Sequence, residues 1–496
     1  MPARALMILG DSSDAGKSMI TAALARACTN RGLRVAPFKP QNMSNNAAAL
    51  ADGGEIGRAQ ALQALAARRT PHVDMNPVLL KPQADRCSQV VIHGRAQGVV
   101  QSGDWQAARR RWMTPVLESF ARLAADTDLV LVEGAGSPAE TNLRAGDIAN
   151  LGFARAAGVP AIIVGDIDRG GVIASLVGTA VVLEAEDRRH IRGFLINKFR
   201  GDPALFDAGL AQIAELTGWS PLGILPWQDA ARRLPREDAQ GLSAGAHAPG
   251  RPGRRLVAIP MLSRIANFDD FAPLQDEPAL EVRYVPPGEP LPRDADLVLL
   301  PGTKSTLADL AFLRAQGWDI DILAHARAGG RVFGVCGGFQ MLGRHVHDPD
   351  GIDGPAGSAA GLALLDFETH MRGPKITRPV QGRCAWLDCE VGGYEIHAGR
   401  MHAIRGDALF ELEHGPDGLV CPARQVAGAH LHGLFGHDAF RAAFLGWLQA
   451  DATARNAALR VETALDELAV ALESHLDLDR LLALAATPGW SPSVSA

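Results

Sequence analysis

No stretch of the chain approaches the roughly 18 consecutive apolar residues of a membrane-spanning helix, so a membrane is not expected as a partner. Positive charge is also short: 49 Lys and Arg stand against 55 Asp and Glu, a net charge of −6. Without a basic face, a nucleic-acid partner is not expected either. Cysteine is scarce, with six in 496 residues and no C-x-x-C pair, which excludes a disulfide scaffold. No charged-then-apolar leader precedes the first apolar run, and cytoplasmic residence is the expectation. What the chain does have is length and apolar content: at 496 residues, 47% of them hydrophobic, it exceeds one ordinary core and calls for two or three domains.

The first motif lies at the start. Ala5 to Leu9 is an apolar run suited to a buried strand, and Gly10 ends it. Gly16, Lys17 and Ser18 then open an Ala-rich segment with Met19, Ile20, Ala23, Leu24 and Ala27 at helical spacing. In a strand, loop, helix setting the backbone N–H groups wrap a phosphate, Lys17 supplies a mobile positive charge and the Ser18 hydroxyl holds Mg²⁺. A nucleoside triphosphate site is predicted. Its spacing departs from the usual P-loop, because five residues rather than four separate Gly10 from Gly16 and Asp11 fills a glycine position. A solvated Ser/Asp/Gly turn is the competing reading.

Val35 to Phe38 reads as a second strand and runs into KPQNMSNNAAALADGGEIGRAQ, residues 39–60. Lys39, Gln41, Asn42, Asn45 and Asn46 are poor core residues but good partners for amide, carboxylate and phosphate oxygens. The segment reads as a loop over the γ-phosphate that also holds substrate, with Asp52 a metal ligand; an Asn-rich surface loop fits the composition equally. Lys81 falls between two apolar runs. Asp128 to Gly134 is an apolar strand that delivers Glu133 to the carboxyl edge of a doubly wound sheet, as a second Mg²⁺ ligand or as a solvated strand-end charge. Ala161–Val164, Ile191–Asn197 and Leu222–Leu225 continue the alternation of a mostly parallel sheet. Asn197-Lys198-Phe199-Arg200 resembles the base-reading N-K-x-D, with Arg200 where the guanine-binding Asp would stand. Adenine is therefore expected, contacted by Asn197. The unperiodic Gly, Pro, Ala and Arg of 236–255 mark a linker.

A second α/β unit follows with strands at Leu256–Met261, Leu280–Val285 and Leu297–Leu300, the last ending in Pro301, Gly302 and Thr303. Gly334-Val335-Cys336-Gly337-Gly338 has the form of a nucleophile elbow with cysteine in place of serine. Such a turn exposes the sulfur, and the helix N-terminus favours thiolate. A buried core cysteine fits the two following glycines poorly. GAHLHGLFGH supplies His430, His432 and His437; His432 is the preferred general base, with its neighbours as alternatives. GYEIHAGR puts Glu395 and His397 on one face of a strand. None of these histidines has the tight H-x₃-H spacing of a zinc site. Ala439 to Ala486 reads as amphipathic helix packed on the second domain.

In this order, KPQNMSNN, ADGGEIGRAQ, MNPVLLKPQ, VEGAGSPAE, PGTKST, GVCGGFQMLG, GYEIHAGR and HLHGLFG resemble the cobyric acid synthase family, glutamine-hydrolysing ligases of cobalamin biosynthesis, over essentially the whole chain. The resemblance implies an α/β protein: a dethiobiotin-synthetase-like P-loop domain with a doubly wound, mostly parallel sheet over 1–235, the linker over 236–255, a class I glutamine amidotransferase-like domain over 256–445 and a helical segment over 446–496. It implies ATP and Mg²⁺, with Gly10, Gly16, Lys17, Ser18 and Asn197 at the nucleotide, Ser18, Asp52 and Glu133 at the metal, and Lys39, Asn42, Asn45, Asn46 and Lys81 at the substrate. Cys336 would be the glutaminase nucleophile, His432 its base, and Gly302, Thr303 and Gly337 the oxyanion site. The implied reaction is amidation of the b, d, e and g carboxylates of adenosylcobyrinic acid a,c-diamide through acyl phosphates, with small-molecule partners only: corrinoid, glutamine and ATP. The rival readings are the synthase that amidates the a and c carboxylates and a ParA/MinD-like ATPase. Class I glutaminases carry Glu two residues after the catalytic histidine, where this chain has Leu434, so the third triad member is unassigned.

Overall fold

In a computed structural model of the chain, residues 3–235, 253–453 and 456–489 are described, and most of the predicted linker (236–252) lies outside them. Six strands form the first sheet, in the spatial order Ser220–Pro226, Ile191–Phe199, Ala161–Asp166, Arg4–Gly10, Leu129–Glu133, Val35–Phe38, all parallel. Their near-continuous apolar runs reflect burial on both faces. Along the central strand, Ala5, Met7 and Leu9 enter one core and Leu6 and Ile8 the other. The predicted strands are present, with ends moved by one or two residues.

A second six-stranded sheet runs Leu280–Val285, Arg255–Pro260, Leu297–Leu300, Arg331–Val335, Val426–Ala429, Leu419–Cys421, parallel except for its last pair. Between Arg331–Val335 and Val426–Ala429 the chain throws out a long antiparallel arm, Asp366–Cys384 with Cys389–Arg405. Within the arm, Tyr394 and Ile396 pack with Ala47, Leu79 and Val91 of the first half, so the two halves share a small apolar cluster.

The C-terminal segment departs from expectation. Asp438–Trp447 packs on the second core through Phe440 and Phe444, but Ala457–His475 crosses back to the first half. The reason lies in the Lys17–Asn30 helix, whose residues from Ile20 to Cys28 are all buried and which needs an apolar cover beyond the sheet. Leu465, Leu468 and Leu472 supply it. Arg26, buried in this contact, is ion-paired to Glu462 at 2.5 Å and Asp466 at 3.0 Å. Backbone bonds between Ala5 and Ala486 then tie the chain's end to its first strand.

Leu468→Ala should destabilise the nucleotide half by about 2–5 kcal/mol through the cavity it leaves. Urea unfolding followed by a probe in the first half measures this; a change below about 0.5 kcal/mol would mean the helix is not a structural cover.

Candidate active sites

Each sheet gathers its candidate site residues at the carboxyl ends of its strands, where open α/β folds place ligands. At the first edge Gly10 ends the central strand, and a Cβ there would meet Ser12 O at 2.9 Å and Lys17 Nζ at 3.0 Å. Gly16 has φ +96°, which only glycine adopts without strain, and a Cβ would lie 2.3 Å from Asn197 Nδ2. Lys17 Nζ donates to Ser12 O (2.8 Å), Ser13 O (3.1 Å) and Gly136 O (3.0 Å), which holds the amine inside the loop where phosphate oxygens would replace the carbonyls.

Glu133, fully buried, receives Ser18 Oγ at 2.6 Å, Lys39 Nζ at 2.8 Å and Gln63 Nε2 at 2.5 Å. A hydroxyl and a carboxylate oxygen in contact form the hard, all-oxygen donor pair that Mg²⁺ prefers, so the residues present fit that ion. Lys39, Asn42, Ser18 and Glu133 line one cavity of about 350 Å³; Lys17, Ser18, Asn197 and Trp227 line an adjoining one of about 1160 Å³.

One expectation fails here. Asp52 does not reach the Ser18–Glu133 pair: it is exposed in the turn between Ala47–Ala49 and Glu55–Gly57, where its Oδ1 accepts from the Gly54 N–H at 2.9 Å. A local turn bond satisfies it. Asn197 lines the larger cavity and is also tied to the phosphate loop, its Nδ2 donating to Ala15 O at 2.8 Å. The aromatic surface of that cavity is Trp227, with the Arg200 guanidinium 3.8 Å from its ring centroid and paired to Asp168.

At the second edge Cys336 sits between the Arg331–Val335 strand and the Gly337–Leu342 helix with φ +51° and ψ −111°, the strained turn predicted for an elbow. Gly338 is forced by proximity, since a Cβ would lie 2.3 Å from Leu300 O. Gly302 approaches both candidate side chains: a Cβ there would be 3.1 Å from His432 Cε1 and 3.8 Å from Cys336 Cβ. Thr303 N lies 3.1 Å from the Cβ position of Gly337, so the Gly302–Thr303 loop and the helix N-terminus meet beside the sulfur, the arrangement an oxyanion needs.

His432 is resolved from its neighbours. Its ring hydrogen-bonds Cys336 and, through Nδ1, Asp270 Oδ2 at 2.6 Å, while Gly433 N donates to Asp270 Oδ1 at 2.9 Å. Burial alone would lower its pKa, but Asp270 and the cysteine sulfur override that and raise it to about 10. His430 faces elsewhere, bonded to Asp417 at 2.8 Å and stacked on His397. Asp270 stands where a third member, left open by sequence reasoning, would stand. It lies in Phe268–Phe271, after the first strand of the second sheet, and the signal was an acidic pair between two phenylalanines.

The five predicted substrate residues divide between the two edges. Lys39 and Asn42 line the nucleotide cavity, whereas Asn45 and Lys81 line a narrow cavity of about 60 Å³ with Cys336, His432 and Thr303. Lys81 pairs with Glu55 at 2.8 Å, as does Lys375 of the arm at 2.9 Å. Burial opposes the Glu55 charge, yet Lys375 and Lys81 hold its carboxyl down at about 2; burial brings Lys81 down to about 8. Asn46 Oδ1 accepts from Asn267 N at 2.7 Å, and Arg58 pairs with buried Asp269 at 2.7 Å, so residues of the first half grip the segment that carries Asp270.

Comparison with known proteins agrees with this geometry. Residues 6–240 match the family described as the CobQ/CobB/MinD/ParA nucleotide binding domain, and residues 256–440 the CobB/CobQ-like glutamine amidotransferase domain. The chain is 59% identical over 492 residues to a cobyric acid synthase of Hyphomonas neptunium, covering 99% of each chain. The chain belongs to the cobyric acid synthase family. Other members include those of Paracoccus denitrificans, 59% identical over 97% of this chain and 99% of that one, and of a Bradyrhizobium species, 54% identical over 98% and 99%. As a member it is a glutamine-dependent ligase of cobalamin biosynthesis with a nucleotide-binding half. Among the described residues no helix is long and apolar enough to cross a membrane.

The raised His432 value carries a pH prediction. Glutaminase turnover needs imidazolium to protonate departing ammonia, so activity should persist to alkaline pH and decline with an apparent pKa near 10. Asp270→Asn removes the main opposite charge and should move that limb toward the unperturbed value of about 6.5. A limb unmoved by Asp270→Asn would detach this carboxylate from the catalytic histidine.

Proposed function

We propose that the chain converts carboxylates of adenosylcobyrinic acid a,c-diamide to amides at a single ATP site, with ammonia released from glutamine at Cys336, to give adenosylcobyric acid. The observation that supports this reading most is the continuity of residues 39–46, which line the nucleotide cavity at Lys39 and Asn42 and the thiol cavity at Asn45. One loop thus takes part in both the cavity where nitrogen would be released and the one where carboxylate would be activated.

A carboxylate does not react with ammonia until one oxygen becomes a leaving group. Transfer of the γ-phosphoryl of ATP to a carboxylate oxygen gives an acyl phosphate and ADP; ammonia then adds at the carbonyl carbon and phosphate departs. Lys17 and the loop N–H groups hold the phosphates. Ser18 and Glu133 would hold Mg²⁺, which when bound neutralises charge on the β and γ phosphates. In the other half, Cys336 thiolate attacks the glutamine amide carbon, and backbone N–H groups of the 302–303 loop and Gly337 stabilise the oxyanion. His432 gives its proton to the leaving ammonia, then takes one from the water that hydrolyses the thioester, and glutamate leaves. Asp270 keeps the imidazole oriented throughout. One phosphate loop and one cysteine elbow imply separate rounds for the four carboxylates, with partly amidated corrinoids appearing when ATP is limiting.

Cys336→Ser should lose glutamine-dependent amidation by orders of magnitude yet keep amidation with ammonium at alkaline pH, while Lys17→Ala loses both. Mass spectrometry of the corrinoid products with each nitrogen source measures this, and retained glutamine-dependent product in Cys336→Ser would overturn the assignment. The grip on Asp270 gives a finer test. Asn46→Ala removes a buried acceptor worth about 1–3 kcal/mol, so glutamine-dependent kcat should fall about tenfold while the ammonium-dependent rate holds. Equal losses in both would assign Asn46 to corrinoid binding instead.

A further inference from the structure

Away from both cavities, the base of the arm collects imidazoles on one sheet face. The His345–Asp348 strand pairs parallel with Asp366–Cys384, setting His345 opposite Glu368 and His347 opposite His370, and Glu368 in turn faces His402 on the returning strand. Side chains alternate along a strand, so these five share a face, while the intervening Val346, Thr369 and Met371 are buried on the other. The sequence carries the sign of this in two alternating pairs, His-Val-His at 345–347 and Glu-Thr-His at 368–370.

We propose that His347, His370 and Glu368 form a site for one divalent transition metal of the Zn²⁺ class. Their ligand atoms all lie within 4.8 Å of one another, and His347 Nε2 is 3.6 Å from Glu368 Oε2. Two ligands at zinc distances in tetrahedral geometry stand about 3.4 Å apart, so this pair needs almost no movement to share an ion. The outer partners are also built. Ser358 Oγ is 2.8 Å from His347 Nδ1, which fixes the ring with Nε2 toward the site, and Arg344 donates to Glu368 Oε1 at 3.3 Å, leaving Oε2 for the metal. The His347 and His370 rings are 4.6 Å apart, and His402 is 4.4 Å from His370 as a further nitrogen donor. Two neutral imidazoles with one carboxylate select a borderline cation over Mg²⁺ or Ca²⁺. A bound ion would tie the His345–Asp348 strand to the arm, whose Met371, Lys375 and Ile396 line the thiol cavity.

The test uses the full chain without a histidine tag, stripped with EDTA and then titrated with Zn²⁺ against a chromophoric chelator and with Co²⁺ by visible absorption. One equivalent of Zn²⁺ with micromolar or tighter affinity is expected, together with the intense d–d bands of four-coordinate Co²⁺. His347→Ala and His370→Ala should abolish both signals, Glu368→Gln should weaken binding while preserving shape, and Ser358→Ala should weaken it about 10–100-fold. His414→Ala, at an exposed histidine in a different turn, should bind as the parent does. Ammonium-dependent amidation should be unchanged in the His347 and His370 variants, which reports that they are folded. Absence of micromolar binding in the parent, or equal binding in parent and in His347→Ala and His370→Ala, would overturn the site.

Discussion

The setting of His432 in the second half depends on a short stretch of backbone held from outside its own sheet. Asn267 has a left-handed conformation at φ +51°, and its amide and carboxamide exchange hydrogen bonds with Asn46, Ala47 and Tyr394. Beside it, Asp269 is neutralised by Arg58, a pairing that burial makes costly to break from either side. Asp270 follows directly, so the position of the acid that orients His432 is set by groups some 200 residues earlier in the chain. Asn46 and Glu55 are therefore buried at a junction, in a stretch whose composition would ordinarily indicate solvent.

The same junction accounts for how polar the thiol cavity is. A buried carboxylate between two lysines, Glu55 with Lys81 and Lys375, stays ionised because each cation offsets its desolvation. Across the cavity, Lys304 pairs with Asp353, and the Asp353 carboxylate also accepts from the Thr306 N–H. Charge is thus balanced locally at both walls.

How much of this was legible in the sequence follows from the range of the interactions. Strands such as Leu297–Leu300 and the elbow at Cys336 were readable because local apolar runs and glycines specify them. Gly16 and Lys17 were readable for the same reason. Asp270 was not, because its partner lies 162 residues away and nothing within its own turn distinguishes it from Asp269. Asn197 was readable as a residue of the nucleotide cavity, but its bond to Ala15 O in the phosphate loop was not. Asp52 sits in a stretch rich in oxygen donors, and only the fold reveals that its oxygen is spent on Gly54. The destination of the last helix was hidden for a different reason: amphipathic spacing states that a face will be buried, not against what.

The Ala457–His475 helix changes how the polypeptide can be assembled. Because it covers the Lys17–Asn30 helix and Ala486 bonds to Ala5, the nucleotide half acquires its cover only from residues that follow the amidotransferase half. A nascent chain emerging from the ribosome cannot close the nucleotide-binding core before the amidotransferase half has been synthesised. Premature termination between residues 240 and 456 would leave an apolar, alanine-rich face open to aggregation rather than a working fragment.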